Sequence, residues 1–457
     1  MSFTLAIVAV DLLIRNVTLA SPAGTRPADI SISDGEFAQV EPAGTIDAAS
    51  ANEMIDATGL VALPGLIDGH VHFREPGLTH EETWLTGTRA AVFGGVTTVL
   101  DMPNTIPPTD SVERARAKLA LAELSAHCDF GLFGLVGESA DRVGDLAGSG
   151  LVVGLKAFMG PTTGDLPTPG EDLLFRALEH ARVSGLRVAF HAEDRATIDA
   201  AREHERRSDP LAHLETRSAE AEVNAIDDLG SQLLQAGASG HVAHVSSASG
   251  LARIEFWRAQ GVDLTCEVTP HHSLLGRDVY ADFGGVAKVN PPIRGEPDAS
   301  ALLAALADGR IETIASDHAP HLAADKVRAS IWDVPSGFAG TETLLALMLS
   351  AVHDGRLSLE RLVHATSEAP AKTWGLWPRK GSVTVGADAD LTLVVLERAG
   401  EIHAANLHGM NNLSPFEGRA TVGAAVTTIV RGQIVVRDGA LVGRPGHGHA
   451  VARAGTS

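Results

Sequence analysis

Short apolar runs alternate with longer amphipathic stretches through the middle of this chain, and this rhythm limits the folds that it can adopt. Eight runs have the length and composition of buried strands: Leu66–His72, Gly95–Met102, Phe130–Val136, Val152–Phe158, Arg187–His191, Gly240–Val245, Asp263–Val268 and Ile311–Ser316. Patterns of helical period lie between most of them: Glu81–Phe93, Val112–Ala126, Asp172–Val183, Ala219–Gln235, Gly250–Gln260 and Asp298–Ala307. Alternation at this spacing predicts a parallel sheet covered by helices.

The number of strand–helix units selects one α/β architecture. Eight units over about 260 residues fit a (β/α)8 barrel of the TIM type, for which roughly 250 residues are typical. A doubly wound open sheet is the alternative, but no glycine-rich phosphate loop opens the first predicted helix. We therefore expect an α/β fold built on a closed barrel.

Both ends of the chain have a different character, with short β-type runs separated by turns. These runs are Asp11–Leu19, Asp29–Ile32, Ala38–Val40, Leu391–Leu396 and Thr427–Val436. They predict a small β-sandwich domain built from both termini, residues 1–64 and 380–457, with the barrel at 65–379. The Gly-, Ala- and His-rich tail Gly443–Ser457 is expected to be frayed.

Charge and composition exclude several classes of partner. The 457 residues include 36 Lys and Arg against 57 Asp and Glu, a formal charge of −21, which argues against nucleic acid and anionic lipid as partners. Two cysteines cannot form a disulfide framework, which favours a reducing cytoplasm. The apolar run Phe3–Val10 is too short to span a bilayer and lacks the flanks of a signal peptide, so no membrane association is expected.

Histidines and one lysine stand where the predicted strands end, and there are 20 histidines in all. The two-residue period of a strand places His70 and His72 on one side, facing the barrel axis. They could share a metal or form a hydrogen-bonded core pair. Lys156 lies in an apolar strand where an unpaired ammonium is costly, so it either reaches the barrel mouth or is carbamylated by CO2.

Three further strands end in candidate ligands. These are His191, His244 and Asp317, whereas His241 stands at a strand start and is expected to be structural. Nitrogen and oxygen ligands without thiolates suit Zn²⁺ best, with Mn²⁺, Co²⁺ or Ni²⁺ as alternatives. The set exceeds what one tetrahedral ion needs, which favours two ions about 3.5–4 Å apart.

Two motifs extend this pattern beyond single residues. They are Asp68-Gly69-His70-Val71-His72 and Gly386-Ala387-Asp388-Ala389-Asp390-Leu391. Together with the strand ends and the split β domain they resemble the amidohydrolase superfamily, and within it the cyclic amidases. The resemblance implies one metal on His70 and His72, a second on His191 and His244, carboxylated Lys156 as the bridge between two zinc ions, and Asp317 as both ligand and catalytic base.

Within the cyclic amidases, several segments are most similar to dihydroorotases. These are His72-Phe73-Arg74-Glu75-Pro76-Gly77, Met102-Pro103-Asn104-Thr105, Cys266 to His272, Lys288 to Arg294, and Ser316 to His321. The resemblance implies that Arg74, Asn104 and His321 bind a ring carboxylate and that Asn290 binds the pyrimidine face. It also implies attack of a metal-bound hydroxide on the ring amide, interconverting L-dihydroorotate and N-carbamoyl-L-aspartate in pyrimidine biosynthesis.

Two alternatives stay open at this point. Trp374 to Gly381 resembles allantoinases and hydantoinases or dihydropyrimidinases, although hydantoinases use a tyrosine soon after the lysine and here the single tyrosine is Tyr280. A non-catalytic scaffold for a partner enzyme is the other alternative, but all six ligand positions are intact.

The resemblance implies a small-molecule cyclic ureide as partner and a homo-oligomer, dimer or tetramer. Leu322–Pro335 is either a lid over the site or a surface loop.

Overall fold

The computed structural model describes residues 10–48, 51–162 and 166–453, apart from the side chains of residues 204 and 205. The predicted run Phe3–Val10 lies outside these residues except for Val10. Within the described ranges, none of the helices combines the length and apolar composition that crossing a bilayer requires.

The N-terminal segment forms five strands around a small apolar core. They are β1 (Val10–Ser21), β2 (Gly24–Ser33), β3 (Glu36–Glu41), β4 (Ala51–Asp56) and β5 (Val61–Pro64). β1 pairs antiparallel with β2 and parallel with β4 and β5. The buried side chains of Leu12, Ile14 and Ile30 belong to one cluster in this sheet, so the alternating pattern of the sequence sets which face is apolar.

The middle of the chain forms eight parallel strands that neighbour one another in sequence order. They are β6 (Leu66–Val71), β7 (Val96–Asp101), β8 (Asp129–Leu135), β9 (Gly154–Phe158), β10 (Arg187–His191), β11 (Ser239–Val242), β12 (Leu264–Val268) and β13 (Thr313–Ile314). Val71 bridges His318 in parallel, and the amide of His72 donates to the carbonyl of His318 at 2.7 Å. The sheet therefore nearly closes, which confirms the barrel and excludes the open doubly wound sheet.

Helices lie between the barrel strands and beyond them. They are α1 (Trp84–Phe93), α2 (Val112–Ser125), α3 (Ala140–Gly148), α4 (Glu171–Val183), α5 (Arg195–Ala200), α6 (Pro210–Thr216), α7 (Ala219–Ala236), α8 (Ala248–Ala259), α9 (Pro270–Leu274), α10 (Val279–Phe283), α11 (Glu296–Asp308), α12 (Ala323–Lys326), α13 (Leu344–His353), α14 (Leu359–Val363) and α15 (Ala369–Thr373). The six predicted helices all form, with ends within three residues of the prediction. Serine or threonine caps begin most of the longer ones, as at Thr83, Ser111 and Ser218.

Trp374 follows α15 and enters the barrel interior. It is buried in one cluster with Ile67, Phe133 and Ala189, and its ring lies 4.7 Å from that of Phe133. A side chain at Gly154, the first residue of β9, would collide with it. The segment that resembles allantoinases and hydantoinases therefore fills the barrel core below the carboxyl ends of the strands.

The C-terminal segment adds four strands to the N-terminal ones: β14 (Leu391–Glu401), β15 (Ala420–Val430), β16 (Gln433–Arg437) and β17 (Ala440–Leu441). β14 pairs antiparallel with β5, so both ends of the chain share one mixed sheet of nine strands. This sheet is separate from the barrel. The domain boundaries at 64/65 and 379/380 stay a prediction.

The prediction that the tail from Gly443 onward is frayed is wrong for its described part. The amide of Phe130 donates to His449, and the amide of Val451 donates to Phe130, at 3.0 and 2.8 Å, so the tail lies along strand β8. A Cβ on Gly448 would lie 2.0 Å from the carbonyl oxygen of Cys128. The glycines that suggested mobility instead allow this close approach of two backbones.

Candidate active site

One pocket of about 370 Å³ opens at the carboxyl ends of the barrel strands. Its lining includes every predicted site residue except His321: His70, His72, Arg74, Asn104, Lys156, His191, His244, Asn290 and Asp317. Phe158, Thr162, Val289, Ala319, Ser336 and Gly337 complete the wall. Because each strand of a parallel barrel ends on the same face, residues far apart in sequence meet here.

His70, His72 and Asp317 form the first group of potential metal ligands. Oδ1 of Asp317 lies 3.4 Å from Nε2 of His70 and 3.1 Å from Nε2 of His72. One ligand atom from each residue lies within 4.8 Å of the other two, and all three residues are buried. This is a donor set that could hold a divalent cation.

Two acceptors fix which nitrogen of each imidazole faces this group. Oε1 of Glu267 lies 2.5 Å from Nδ1 of His70, and Oδ1 of Asn104 lies 2.6 Å from Nδ1 of His72. If Nδ1–H donates in each ring, Nε2 keeps its lone pair toward Asp317, as metal-binding histidines require. Asn104, expected to bind substrate, thus also orients His72.

His191 and His244 form the second group. Nδ1 of His191 and Nε2 of His244 face one another at 3.0 Å. Nε2 of His191 pairs with Oε2 of Glu193 at 2.8 Å, and Arg217 also pairs with that carboxylate. Burial lowers the pKa of His191 and His244, and that of His72 to about 3, so these rings are neutral at physiological pH and suited to bind a metal.

Lys156 lies in the same pocket wall without a hydrogen-bond partner among the described residues. Its side chain is fully buried, and no described residue makes a hydrogen bond with Nζ, which lies 5.3 Å from the centre of the Phe158 ring. Burial lowers the pKa of Lys156 to about 8. An unpartnered buried amine is costly, so this position fits a further group between the two sets of ligands.

Three of these residues have backbone angles that ordinary side chains avoid. Arg74, His244 and Asp317 have φ of 63°, 38° and 48°. Non-glycine residues in this region cost free energy and concentrate at functional sites. The fold therefore holds these three side chains at the pocket against local backbone preference.

The guanidinium of Arg74 is held from behind by Glu81 and His321. Nε of Arg74 lies 3.2 Å from Oε2 of Glu81, and Nη2 lies 3.2 Å from Nε2 of His321. Nδ1 of His321 pairs with Oε1 of Glu81 at 2.9 Å, and Nε2 also lies 3.0 Å from the carbonyl oxygen of Ser336. Burial and Arg74 lower the pKa of His321. The structure therefore places His321 behind Arg74 and outside the pocket lining.

Asn290 also lines the pocket and is held by two donors. Its Oδ1 lies 2.9 Å from Nε2 of His213 and 3.1 Å from Oγ of Ser336. The single tyrosine is elsewhere: the hydroxyl oxygen of Tyr280 accepts from the amide of Ile293 at 2.9 Å, in a separate apolar cluster.

Sequence reasoning missed the carboxylates that support the site. Glu267, Glu193 and Glu81 are buried or half-buried and each contacts a predicted site residue. A charged residue inside an apolar strand was the signal for Glu267, because such a residue must find a partner when buried. Glu81 lies in a loop, and nothing in its neighbourhood of the sequence distinguishes it from a surface acid.

The amidohydrolase family model matches residues 61–435, most of the chain and all of the pocket residues above. The chain belongs to the amidohydrolase family. Among its relatives, a dihydroorotase from Halobacterium salinarum is 42% identical over 93% of this chain and 96% of its own length. An allantoinase from Rubrobacter xylanophilus is 37% identical over 96% of both chains.

A solved structure gives the same architecture. The L-hydantoinase (dihydropyrimidinase) from Arthrobacter aurescens has a TM-score of 0.94 and 31% identity, covering 97% of this chain and all of that chain. This amidohydrolase is thus an enzyme that hydrolyses cyclic amides, as the motifs predicted. The names of these relatives refer to different rings: dihydroorotase, allantoinase and L-hydantoinase.

Proposed function

We propose that this amidohydrolase is a zinc-dependent dihydroorotase, interconverting L-dihydroorotate and N-carbamoyl-L-aspartate. The observation that carries the choice of ring is Arg74. Its Nη1 is buried without a hydrogen-bond partner among the described residues, while Nε and Nη2 face Glu81 and His321. An unpaired guanidinium nitrogen at a pocket wall matches a ring carboxylate, since a guanidinium and a carboxylate pair strongly.

We infer two zinc ions as the resident cofactor. His70 and His72 would hold one ion, His191 and His244 the other, with Asp317 as a further ligand and Lys156, carboxylated on Nζ, between them. The unpartnered Nζ and the converging nitrogens support this assignment. When bound, such ions act as Lewis acids on the ring carbonyl and lower the pKa of water.

Asp317 is the proposed proton carrier. Burial raises its pKa, but His70 and His72 together lower it more, so the pKa is well below the usual value and the group is an ionised carboxylate. It would take the proton from the attacking water and deliver it to the ring nitrogen as the amide bond breaks. Arg74, Asn104 and Asn290 would bind and orient the ring, with His321 beside Arg74 as the further predicted contact.

The second candidate is hydrolysis of an uncharged ring, as the name of the Rubrobacter relative suggests. Such a ring would leave Nη1 of Arg74 without a hydrogen-bond partner, and a buried unsatisfied donor is unfavourable. No described lining residue is a tyrosine, the group that hydantoinases were expected to use. Both observations support the ring with a carboxylate.

The test is a panel of four rings with the zinc-replete enzyme: dihydroorotate, allantoin, dihydrouracil and hydantoin. We expect turnover of dihydroorotate to exceed the others by at least tenfold in kcat/KM, a difference of about 1.4 kcal/mol. Preference for allantoin or hydantoin would overturn the assignment of the ring. Failure to bind metal would instead favour a non-catalytic scaffold.

We also infer a homo-oligomer, dimer or tetramer, located in the cytoplasm. The family resemblance and the two-cysteine composition support these inferences. Light scattering of the purified protein and fractionation of its native cells test them.

A further inference from the structure

Lys326, in helix α12, is a buried cation that the proposed chemistry does not use. Its side chain is almost fully buried, and its Nζ donates to the carbonyl oxygens of Lys288, Pro335 and Gly337 at 3.0, 2.9 and 2.8 Å. A neutral amine has only two N–H donors, so three acceptors at these distances require the ammonium form. Each hydrogen bond from a charged donor is stronger than one from a neutral donor.

The three acceptors belong to the two backbone segments that form one wall of the pocket. Pro335 and Gly337 flank Ser336, and Lys288 lies two residues before Asn290. Ser336 and Asn290 line the pocket and contact one another through Oγ and Oδ1 at 3.1 Å. Lys326 therefore joins these segments directly behind the side chains that face the substrate.

Lys288 strengthens the same junction from the other side. Its Nζ donates to the carbonyl oxygens of Ile331 and Val334, both at 2.6 Å. Together the two lysines bind five carbonyl groups, four of them in residues 331–337 and the fifth that of Lys288. The backbone adds a short 3-10 helix, Ile331–Asp333, and a hydrogen bond from the amide of Gly337 to the carbonyl oxygen of Lys288 at 2.9 Å. The backbone of residues 331–337 is therefore held by two buried lysine side chains.

The charge of Lys326 has no carboxylate partner among the described residues. Burial, together with the nearby cations Lys288 and Arg74, lowers its pKa well below the usual value, and the three carbonyl acceptors are the groups that favour its charged form. A buried cation without a counter-ion is expensive to maintain. Its position directly behind Ser336 and Asn290 points to a role beyond packing.

We propose that Lys326 is a positioning residue that fixes the wall carrying Asn290 and Ser336 and thereby sets the affinity for the substrate ring. The assignment of the ring rests on the proposed function above, but the positioning role applies to whichever ring the enzyme hydrolyses. Because the wall binds the ring before and during reaction, its displacement would weaken binding more than it would slow the chemical step.

The experiment compares Lys326→Gln and Lys326→Met with Lys372→Met, which removes an exposed lysine that pairs with Glu368 on the surface. Kinetics are measured on the ring that the wild type hydrolyses best. We expect KM to rise roughly tenfold or more in the Lys326 variants, with kcat changed by less than about threefold, because buried carbonyl groups lose their donor. Zinc content should match the wild type, and Lys372→Met should leave both constants unchanged.

An unchanged KM in folded, zinc-replete Lys326 variants would overturn the proposal, as would equal losses in kcat and zinc content. If both variants fail to fold, the proposal is tested with Lys326→Arg, on which KM and hydrogen exchange are measured. The arginine keeps the charge but not the three-donor geometry, so it should fold, raise KM and speed exchange in residues 331–338. A wild-type KM in that variant contradicts the proposal.

A wild type that prefers an uncharged ring would refute the choice of ring alone, since the KM comparison would still be made on that ring.

Discussion

The carboxylate of Glu267, on β12, joins His70 of β6 and His241 of β11 and fixes the orientation of one metal-ligand candidate. Its Oε1 lies 2.5 Å from Nδ1 of His70, and its Oε2 lies 3.2 Å from Nε2 of His241. His70 and His241, with other groups, lower the pKa of Glu267 far below its usual value although burial opposes this. The acid is therefore ionised, and it is the reason that Nε2 of His70 faces Asp317.

Replacing Glu267 by Gln should weaken metal binding without removing a ligand. The amide keeps the size of the side chain but loses the charge that orients His70, and such losses typically cost about 10–100-fold in metal affinity. Competition with a chromophoric chelator measures this change. Glu312→Gln is the control, since Glu312 pairs with Arg258 away from the pocket. Equal zinc affinity in the two variants would contradict the orienting role.

Lys156→Gln should abolish the two-ion site. Glutamine cannot form a carbamate, so we expect roughly one bound ion in place of two and a loss of activity of a thousandfold or more, in line with metal-dependent hydrolysis. Elemental analysis counts the ions, and native mass spectrometry of the wild type should detect one added CO2. Reconstitution of metal-free enzyme should be slower in CO2-depleted buffer. Full activity without CO2 would exclude the carbamate.

The sequence predicted which side chains meet in the pocket because parallel strands end on a common face. His70, Lys156 and His191 lie in strands whose apolar composition made them recognisable, and their position at the strand ends needed no knowledge of distant contacts. The carboxylates that contact and orient these groups could not be predicted in the same way. Glu267 contacts a residue 197 positions away, and such pairings depend on the barrel geometry rather than on local pattern.

The position of His321 shows a second limit. Its motif predicts a contact with the ring carboxylate, and that contact stays a prediction; in the structure Glu81 and Arg74 contact its two nitrogens. Arg74 has a left-handed backbone that turns its side chain toward this pair. A loop residue such as Glu81 leaves no periodic signal in the sequence, so only the three-dimensional structure shows that it helps to aim the guanidinium.

Arg74→Met should act selectively on rings that carry a carboxylate. The substitution removes a buried charged donor, which should lower kcat/KM for dihydroorotate roughly a hundredfold or more. The same variant should lose less than about tenfold on dihydrouracil, which has no carboxylate to bind, and this ring serves as the internal control. Equal losses on the two rings would remove Arg74 from substrate selection.

Acid should destabilise the fold partly through His272. Its Nε2 donates to the carbonyl of Pro291 at 2.9 Å, and burial lowers its pKa from 6.5 to about 4. The unfolded chain therefore binds a proton that the folded chain does not, so stability present above pH 6.5 is lost as the pH falls toward 4. At about pH 5 this amounts to about 2 kcal/mol.

The comparison is with His272→Gln, which keeps an amide donor but has no group that titrates. The free energy of unfolding is measured in urea at about pH 7 and about pH 5. It should fall between the two pH values in both proteins, and by about 2 kcal/mol less in the variant. Loss of metal at the lower pH affects both proteins equally and cancels in this difference. The same pH dependence in both proteins would exclude His272 as a contributor.

Deletion of residues 446–457 should destabilise the barrel although the segment contains few apolar side chains. The deletion removes the backbone hydrogen bonds with Phe130 and those that the amides of Gly446 and Gly448 donate to Ala126. It also removes the His447 carbonyl that pairs with Arg431 and the His449 amide that donates to Asp129. Unsatisfied buried groups of this kind should lower the Tm by on the order of 5 °C.

His449→Ala is the control, because the exposed side chain is lost while the backbone hydrogen bonds stay. A Tm equal to that of the wild type after deletion would mean that the pairing along β8 contributes no stability.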